Sequence, residues 1–261
     1  MASHVGKARR NPLVLRLSQF AVLSAEEVAL LEALCVNEER LAARVDIVAE
    51  GDVPRPAFVL THGLACRYRI LRNGRRQILT FLVPGDTSDL HGFLITTTDH
   101  SISTLMPSRI ATLQWEIAIG VVAEHPRLRA ALGWSALQED AIMRERMVAL
   151  GRRSARGRTA YLLCELVWRQ RAAGLSEDHA IRLPLTQIDL GDALGLTPVA
   201  VNRALQDFRR NGWITLDRRR LALLAIERLM EIAQFNQDYL HLDGGSQQIR
   251  RYFDRLGRVG A

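Results

Sequence analysis

The sequence predicts an α+β protein with a β-rich N-terminal half, a long helix across the middle and a C-terminal winged helix-turn-helix. Three observations predict it. Between residues 41 and 115, short β-prone runs alternate with Gly, Pro, Asn and Asp. From Pro126 to Gly151 a helical pattern runs without an internal proline. From Leu185 to Arg210 two short helical patterns meet at Gly195, and two apolar runs flanking a basic tip follow. These changes divide the chain into a β-rich domain at 1–125, a helix and hinge at 126–152, a helix-turn-helix domain at 153–242 and a tail at 243–261.

Taken in order, the first ten residues are polar and basic, the composition of a loose terminus. Ser24 and Glu27 have the spacing of a capping box ahead of Val28, Leu30, Leu31 and Leu34, which predicts a short amphipathic helix. From Leu41 the period becomes that of strands: Val45 and Ile47, the Glu50-Gly51-Asp52 turn, Phe58 to Leu60, and Cys66 to Leu71. Asn73-Gly74 predicts a hairpin between Tyr68–Leu71 and Gln77–Phe81, since both turn positions can take positive φ. Pro84-Gly85-Asp86 closes that strand, and Ile102–Leu105 and Arg109–Trp115 supply two more. So many short strands between turns imply a sheet rolled or sandwiched on itself.

In the long helix, Trp134, Leu137, Ala141 and Val148 fall on an a/d-like seam, with Arg144 at the remaining position. The seam suits either pairing with a second copy of the helix or packing within one subunit. The run from Gly151 to Gly157 carries three arginines and reads as a hinge, or as a solvated arginine-rich loop. A helix over Tyr161–Arg171 leads into the helix-turn-helix, and Leu221–Leu240 closes the second domain. Past Gly244-Gly245, Ile249, Tyr252, Phe253 and Leu256 have the spacing of a small amphipathic helix, or belong to a disordered end.

The helix-turn-helix is the most informative stretch. Leu190 and Leu194 share one helical face, and Gly191 leaves room for a close neighbour. Gly195 ends the first helix, Leu196 plugs the angle, and Thr197-Pro198 caps and starts the second. Val201, Ala204, Leu205 and Phe208 recur at i, i+3, i+4 and i+7, so they face the core. That phase turns Val199, Asn202, Arg203, Gln206 and Arg210 outward. Arginine pairs with guanine, Asn or Gln with adenine, and valine touches a thymine methyl, so this face suits base edges. Trp213–Leu224 predicts a β-hairpin wing with Arg218, Arg219 and Arg220 at its tip. Those arginines, with Thr186, Gln187, Thr197 and Arg210, are candidates for phosphate-backbone contacts.

Composition narrows the function classes. At 261 residues and 48% apolar, the chain is long enough for two cored domains. A net charge of +7 and a pI near 10.1 favour a polyanionic partner such as double-stranded DNA. Lys7 is the only lysine. Cys35, Cys66 and Cys164 are widely separated, which argues against a disulfide framework, a zinc site or a four-cysteine cluster. No long uncharged apolar span and no apolar leader is present, so a cytoplasmic protein without a membrane anchor is expected. No Gly-x-Ser-x-Gly elbow, P-loop or His-Glu-x-x-His occurs, and an enzyme is not expected.

The order of parts, with Glu50-Gly51-Asp52, the run from Asn73 to Leu79, Pro84-Gly85-Asp86, the long helix and the winged helix-turn-helix, resembles the Crp/Fnr family of bacterial transcription regulators. The resemblance covers nearly the whole chain, and its most specific pieces are Asn73–Asp86 and Leu185–Ile214. It implies a β-roll sensor of cyclic-nucleotide-binding shape, a homodimer, a palindromic promoter site and contact with RNA polymerase.

The departures from the family pattern are as informative. Members that bind cyclic AMP carry a Gly-Glu pair and an Arg-Ser pair, where this chain has Asp89-Leu90 and His100-Ser101. Those four residues become the candidate effector pocket. With the arginine gone and a carboxylate in its vicinity, an enclosed phosphate lacks its charge-assisted partner, so no cyclic AMP and no other cofactor is expected. The cysteine cluster of the oxygen-sensing members is also missing. Asp89, His91, Asp99 and His100 are metal-type donors, but their spacing matches no closed site, and no metal is assigned. Base readers in the family match Pro198, Val199 and Arg203. Arg203 agrees; Val199 replaces the usual glutamate, which leaves Asn202 and Gln206 as candidates for the altered readout.

Overall fold

A computed structural model describes residues 11–20, 22–176 and 178–242. Helix α1 (Pro12–Ser18) starts at Asn11, whose side chain accepts the Leu13 N–H. Helix α2 (Ala25–Leu34) starts at Ser24 through the expected capping box with Glu27. Seven antiparallel strands follow: β1 (Cys35–Leu41), β2 (Asp46–Val48), β3 (Phe58–His62), β4 (Ala65–Ile70), β5 (Arg76–Leu82), β6 (Ser101–Thr104) and β7 (Ser108–Leu113). They form two sheets, ordered β1-β7-β3 and β2-β6-β4-β5. Phe58, Leu60 and Ile110 from the first sheet pack on Ala65, Leu82 and Ile102 from the second, so the strands make a β-roll around one apolar filling.

Several local expectations change. Strand β1 continues directly from α2; its central Asn-Glu-Glu-Arg run is exposed, so no apolar alternation announces it. The Asn73-Gly74 hairpin is a three-residue connection rather than a two-residue one. Leu71 N–H donates to Arg75 O at 2.8 Å and Gly74 N–H to Leu71 O at 2.8 Å, and Gly74, unlike Asn73, takes positive φ (77°). Asn73 instead accepts the Arg75 N–H through its side chain. Trp115 does not end a strand but begins helix α3 (Trp115–Glu124).

Helix α4 (Pro126–Arg152) spans 27 residues, and α5 (Ala155–Ala172) follows after only Arg153 and Ser154. The break is therefore two residues long, not the whole Gly151–Gly157 run. Arg153 is no solvated arginine: it donates to Ala233 O at 2.8 Å and stacks 4.4 Å from the Tyr161 ring centroid. The seam on α4 also differs from the expectation. Trp134 and Ala141 are buried within their own subunit, Trp134 stacked on Phe20 at 5.5 Å between centroids. Helical phase at this end is set by the roll and α1, which claim the largest apolar side chain. What remains open is Gly133, Leu137, Asp140, Arg144 and Met147, spaced alternately four and three, with Val148 beside them.

The second domain adds β8 (Ala180–Arg182), α6 (Gln187–Leu194), α7 (Pro198–Arg210), β9 (Ile214–Asp217), β10 (Arg220–Leu223) and α8 (Ile226–Ala233). The wing sheet is ordered β8-β10-β9, its outer strand β8 having escaped the sequence reading for want of length. A buried ionic cluster joins the parts. Asp86 of the Pro84-Gly85-Asp86 turn pairs with Arg16 at 3.2 Å and Arg169 at 2.6 Å, while Glu165 pairs with Arg146 at 3.1 Å and Arg169 at 3.3 Å. So α1, the roll, α4 and α5 share one set of compensated charges. The N-terminal ten residues and the tail from Gly244, with Ile249, Tyr252, Phe253 and Leu256, lie outside the described residues.

Candidate nucleic-acid interface

Each half of the helix-turn-helix is fixed by local chemistry. Thr186 caps α6 and exchanges a capping box with Asp189. Gly195 ends α6 at φ 60°, and Thr197 caps α7 by accepting the Ala200 N–H at 3.2 Å, with Pro198 in the first turn. Gly191 is required by a close approach, but of the turn rather than of the second helix: a Cβ there would sit 2.6 Å from Leu196 O. Val201, Ala204, Leu205 and Phe208 are buried as the period requires.

The opposite face is open. Thr197, Pro198, Val199, Arg203, Gln206 and Arg210 are exposed, Val199 at 67%. Arg203, Gln206 and Arg210 form no side-chain hydrogen bond or ion pair among the described residues. Asn202 is half-buried, and its side-chain oxygen accepts from Gln187 Nε2 at 3.1 Å, so this pair ties the start of α6 to α7. That contact was not visible in the sequence, where the two residues stand on separate helices. Arg209 donates to Leu216 O at 2.7 Å and joins the end of α7 to the wing.

The wing tip is tighter than its composition suggests. Asp217 pairs directly with Arg220, so Arg218 and Arg219 alone make the turn, at φ 44° and 66°. Two positive φ angles are the signature of a type I′ turn, normally given to Asn-Gly. Left-handed backbone costs a non-glycine residue about 1–2 kcal/mol. Here it points two guanidinium groups into solvent beside α7, and Arg218 is 94% exposed.

The position of the whole unit is set by charges that the sequence reading missed. Asp189, buried on α6, receives Arg44 at 2.7 Å and Arg76 at 2.7 Å, while Arg76 also reaches Asp192 at 2.8 Å. Arg44 and Arg76 come from the roll, so the first helix of the pair is docked on β5. Burial alone would push the Asp189 carboxyl up, but hydrogen bonds from Arg44, Thr186 and Arg76 hold it well below the usual carboxylate range.

The candidate effector residues come together only in part. Asp89, Leu90 and His100 line a cavity of about 590 Å³ between the roll and α4, together with Arg67, Glu139 and Asp140. Ser101 is not among the lining residues; its hydroxyl accepts the Glu50 N–H at 2.9 Å. The sequence comparison also overlooked Arg67, on β4. It is buried and committed: it pairs with Asp89 at 3.3 Å and with Glu139, and donates to Thr87 O at 3.1 Å. Among the described residues no three His, Cys, Asp or Glu side chains converge to hold a metal ion. No described helix is long and apolar enough to cross a membrane.

Comparison with known proteins agrees with this geometry. Residues 38–125 match the cyclic nucleotide-binding domain family and residues 157–232 the Crp-like helix-turn-helix domain family. The nitrogen fixation regulation protein FixK of Bradyrhizobium diazoefficiens is 29% identical over 226 residues, covering 83% of this chain and 93% of the relative. The transcriptional activator protein FnrL of Cereibacter sphaeroides is 29% identical over 219 residues, covering 82% and 87%. The structure of FixK2 from Bradyrhizobium japonicum superposes with a TM-score of 0.66 at 25% identity, over 76% of this chain and 98% of that one. With a nucleotide-binding-type β-roll, a long helix and an exposed, capped second helix beside a basic wing, the chain belongs to the Crp/Fnr family of transcription regulators, DNA-binding proteins with a helix-turn-helix reader.

Proposed function

We propose that two copies of the chain bind one palindromic promoter site, each laying α7 in a major groove. The observation that carries this reading is the outer face of α7, where Arg203, Gln206 and Arg210 are exposed without partners among the described residues. In a folded protein, long side chains left open on a rigid helix are available for an external polyanion. Arg203 reads a guanine and Gln206 an adenine, while Val199 contacts a thymine methyl in place of the glutamate that reads cytosine in relatives. Pro198 packs at the groove entry, and Asn202, held by Gln187, offers its amide N–H groups. Thr186, Gln187, Thr197, Arg210 and the wing residues Arg218, Arg219 and Arg220 hold phosphates.

Dimer formation uses the open stripe of α4, from Leu137 through Arg144 to Met147 and Val148. The roll does not take cyclic AMP, because Arg67, the buried guanidinium lining its cavity, is already neutralised by Asp89 and Glu139. A cyclic phosphate entering there meets carboxylates and loses its hydration without compensation. The protein works in the cytoplasm, engages RNA polymerase at its promoters and has no enzymatic activity of its own. Selection of bound DNA from a random pool, with protein purified without additives, tests the reading. An inverted repeat with half-sites about one helical turn apart is expected. Recovery of unenriched DNA would overturn it.

A further inference from the structure

We infer that Arg182, on β8, joins Arg220 of β10 in clasping one backbone phosphate of the DNA bound by α7. This rests on the reading of α7 as the groove reader, and adds a contact from outside the wing hairpin. In the wing sheet Arg182 lies directly opposite Arg220, next to the buried pair of Ile181 and Leu221. Strand alternation turns both arginines to the open face, and both are exposed. The register also brings them close. Leu183 N–H donates to Arg219 O at 2.7 Å and Leu223 N–H to His179 O at 2.9 Å. In the alternation of an antiparallel pair, Arg182 and Arg220 then fall at a non-hydrogen-bonded position, where Cα atoms stand about 4.5 Å apart. Like charges directly opposite one another destabilise a sheet.

Neither arginine forms a side-chain hydrogen bond or ion pair among the described residues. Asp217 faces Arg220 from the other side, but at the wider, hydrogen-bonded spacing, and its carboxylate stands 4.0 Å from Arg218 instead. The row across the three strands therefore reads Arg182, Arg220, Asp217, with Arg218 and Arg219 in the turn beyond. Two facing arginines whose repulsion no described residue relieves break a local rule of sheet pairing, and such breaks belong to functional sites. A phosphodiester completes the pair, since each guanidinium forks onto phosphate oxygens. Position makes that phosphate one of the DNA backbone. The residue after Arg182 bonds the wing turn, and Thr186, four residues on, caps α6. Arg182 thus stands between the wing tip and the start of the reader and joins their backbone contacts into one row.

Arg182→Gln, Arg220→Gln and the double variant of the full chain test this, by urea denaturation without DNA and by fluorescence anisotropy on selected and random duplexes over a range of salt. Without DNA, either single substitution raises the urea midpoint and the double raises it no further, because the one repulsion is removed only once. On DNA the effect reverses. Each single variant binds both duplexes about tenfold more weakly, the loss of a charge-assisted contact. The double variant falls well short of the roughly hundredfold loss of two independent contacts, and its salt slope is lower by about one. Unchanged affinity in Arg182→Gln, or a fall in its urea midpoint, would overturn the inference. So would a double variant with the full multiplied loss and a slope lower by about two, which assigns each arginine its own phosphate. The random duplex alone decides the phosphate contact, whereas the reading of α7 stands or falls on the preference of the unsubstituted chain for its selected site.

Discussion

Arg76 of β5 and Asp189 of α6 meet at 2.7 Å, across the boundary between the roll and the reader, with Arg44 bound to both oxygens of the same carboxylate. Asp189 is also the third residue of α6 and completes its capping box with Thr186. One buried carboxylate therefore starts the first helix of the reader and fastens it to the sensor. Asparagine keeps the shape but not the charge, leaving Arg44 uncompensated and Arg76 with Asp192 alone. Asp189→Asn is expected to lower stability by about 3 kcal/mol, measured by urea denaturation.

The same carboxylate gives the protein a defined acid response. Its folded pKa lies below the usual value, so its contribution is complete above about pH 4 and fades as pH falls further. Stability of the unmodified chain falls on acidification below that point, and the Asp189→Asn variant shows a shallower fall over the same window. Parallel slopes in urea titrations between pH 5 and pH 3 would show that other carboxylates carry the effect.

Reading and holding are separable on DNA. Arg203→Ala is expected to cost about 1–3 kcal/mol on the selected site and to relax one base position. Arg219→Ala weakens selected and random DNA alike and lowers the salt slope by about one. Equal losses on both DNAs for Arg203→Ala would contradict its role.

The wing turn trades stability for contact. Replacing Arg218 and Arg219 by Asn and Gly supplies the residues a type I′ turn prefers and is expected to raise stability by about 1–2 kcal/mol. DNA affinity falls at the same time, because two phosphate-facing charges are gone. A variant that gained neither stability nor lost affinity would show that the arginines are neither strained nor engaged.

On α4, Leu137→Glu and Trp134→Ala separate an open stripe from a core face. Leu137 is 61% exposed and Trp134 only 7%. Leu137→Glu yields a folded monomer in sedimentation experiments, whereas Trp134→Ala costs about 3–5 kcal/mol of folding stability through the cavity beside Phe20. A dimer that survives Leu137→Glu would place the interface elsewhere.

Chain order and local chemistry were enough to determine the architecture and the reader. Ser24 with Glu27, Gly195, Thr197-Pro198 and the spacing of Val201, Ala204, Leu205 and Phe208 act within one turn or one helix, so the sequence alone specifies them. Tertiary structure decided what local periodicity does not contain. Which side of α4 is inside depended on where the roll and α1 press against it, so Trp134 and Ala141 went inward although their spacing alone fitted an exposed seam. Arg67 became a cavity residue, Ser101 left the cavity lining, and Asp189 became a joint between domains. Each of these follows from a partner distant along the chain, and the free energy of a buried charge is set by what the fold brings beside it.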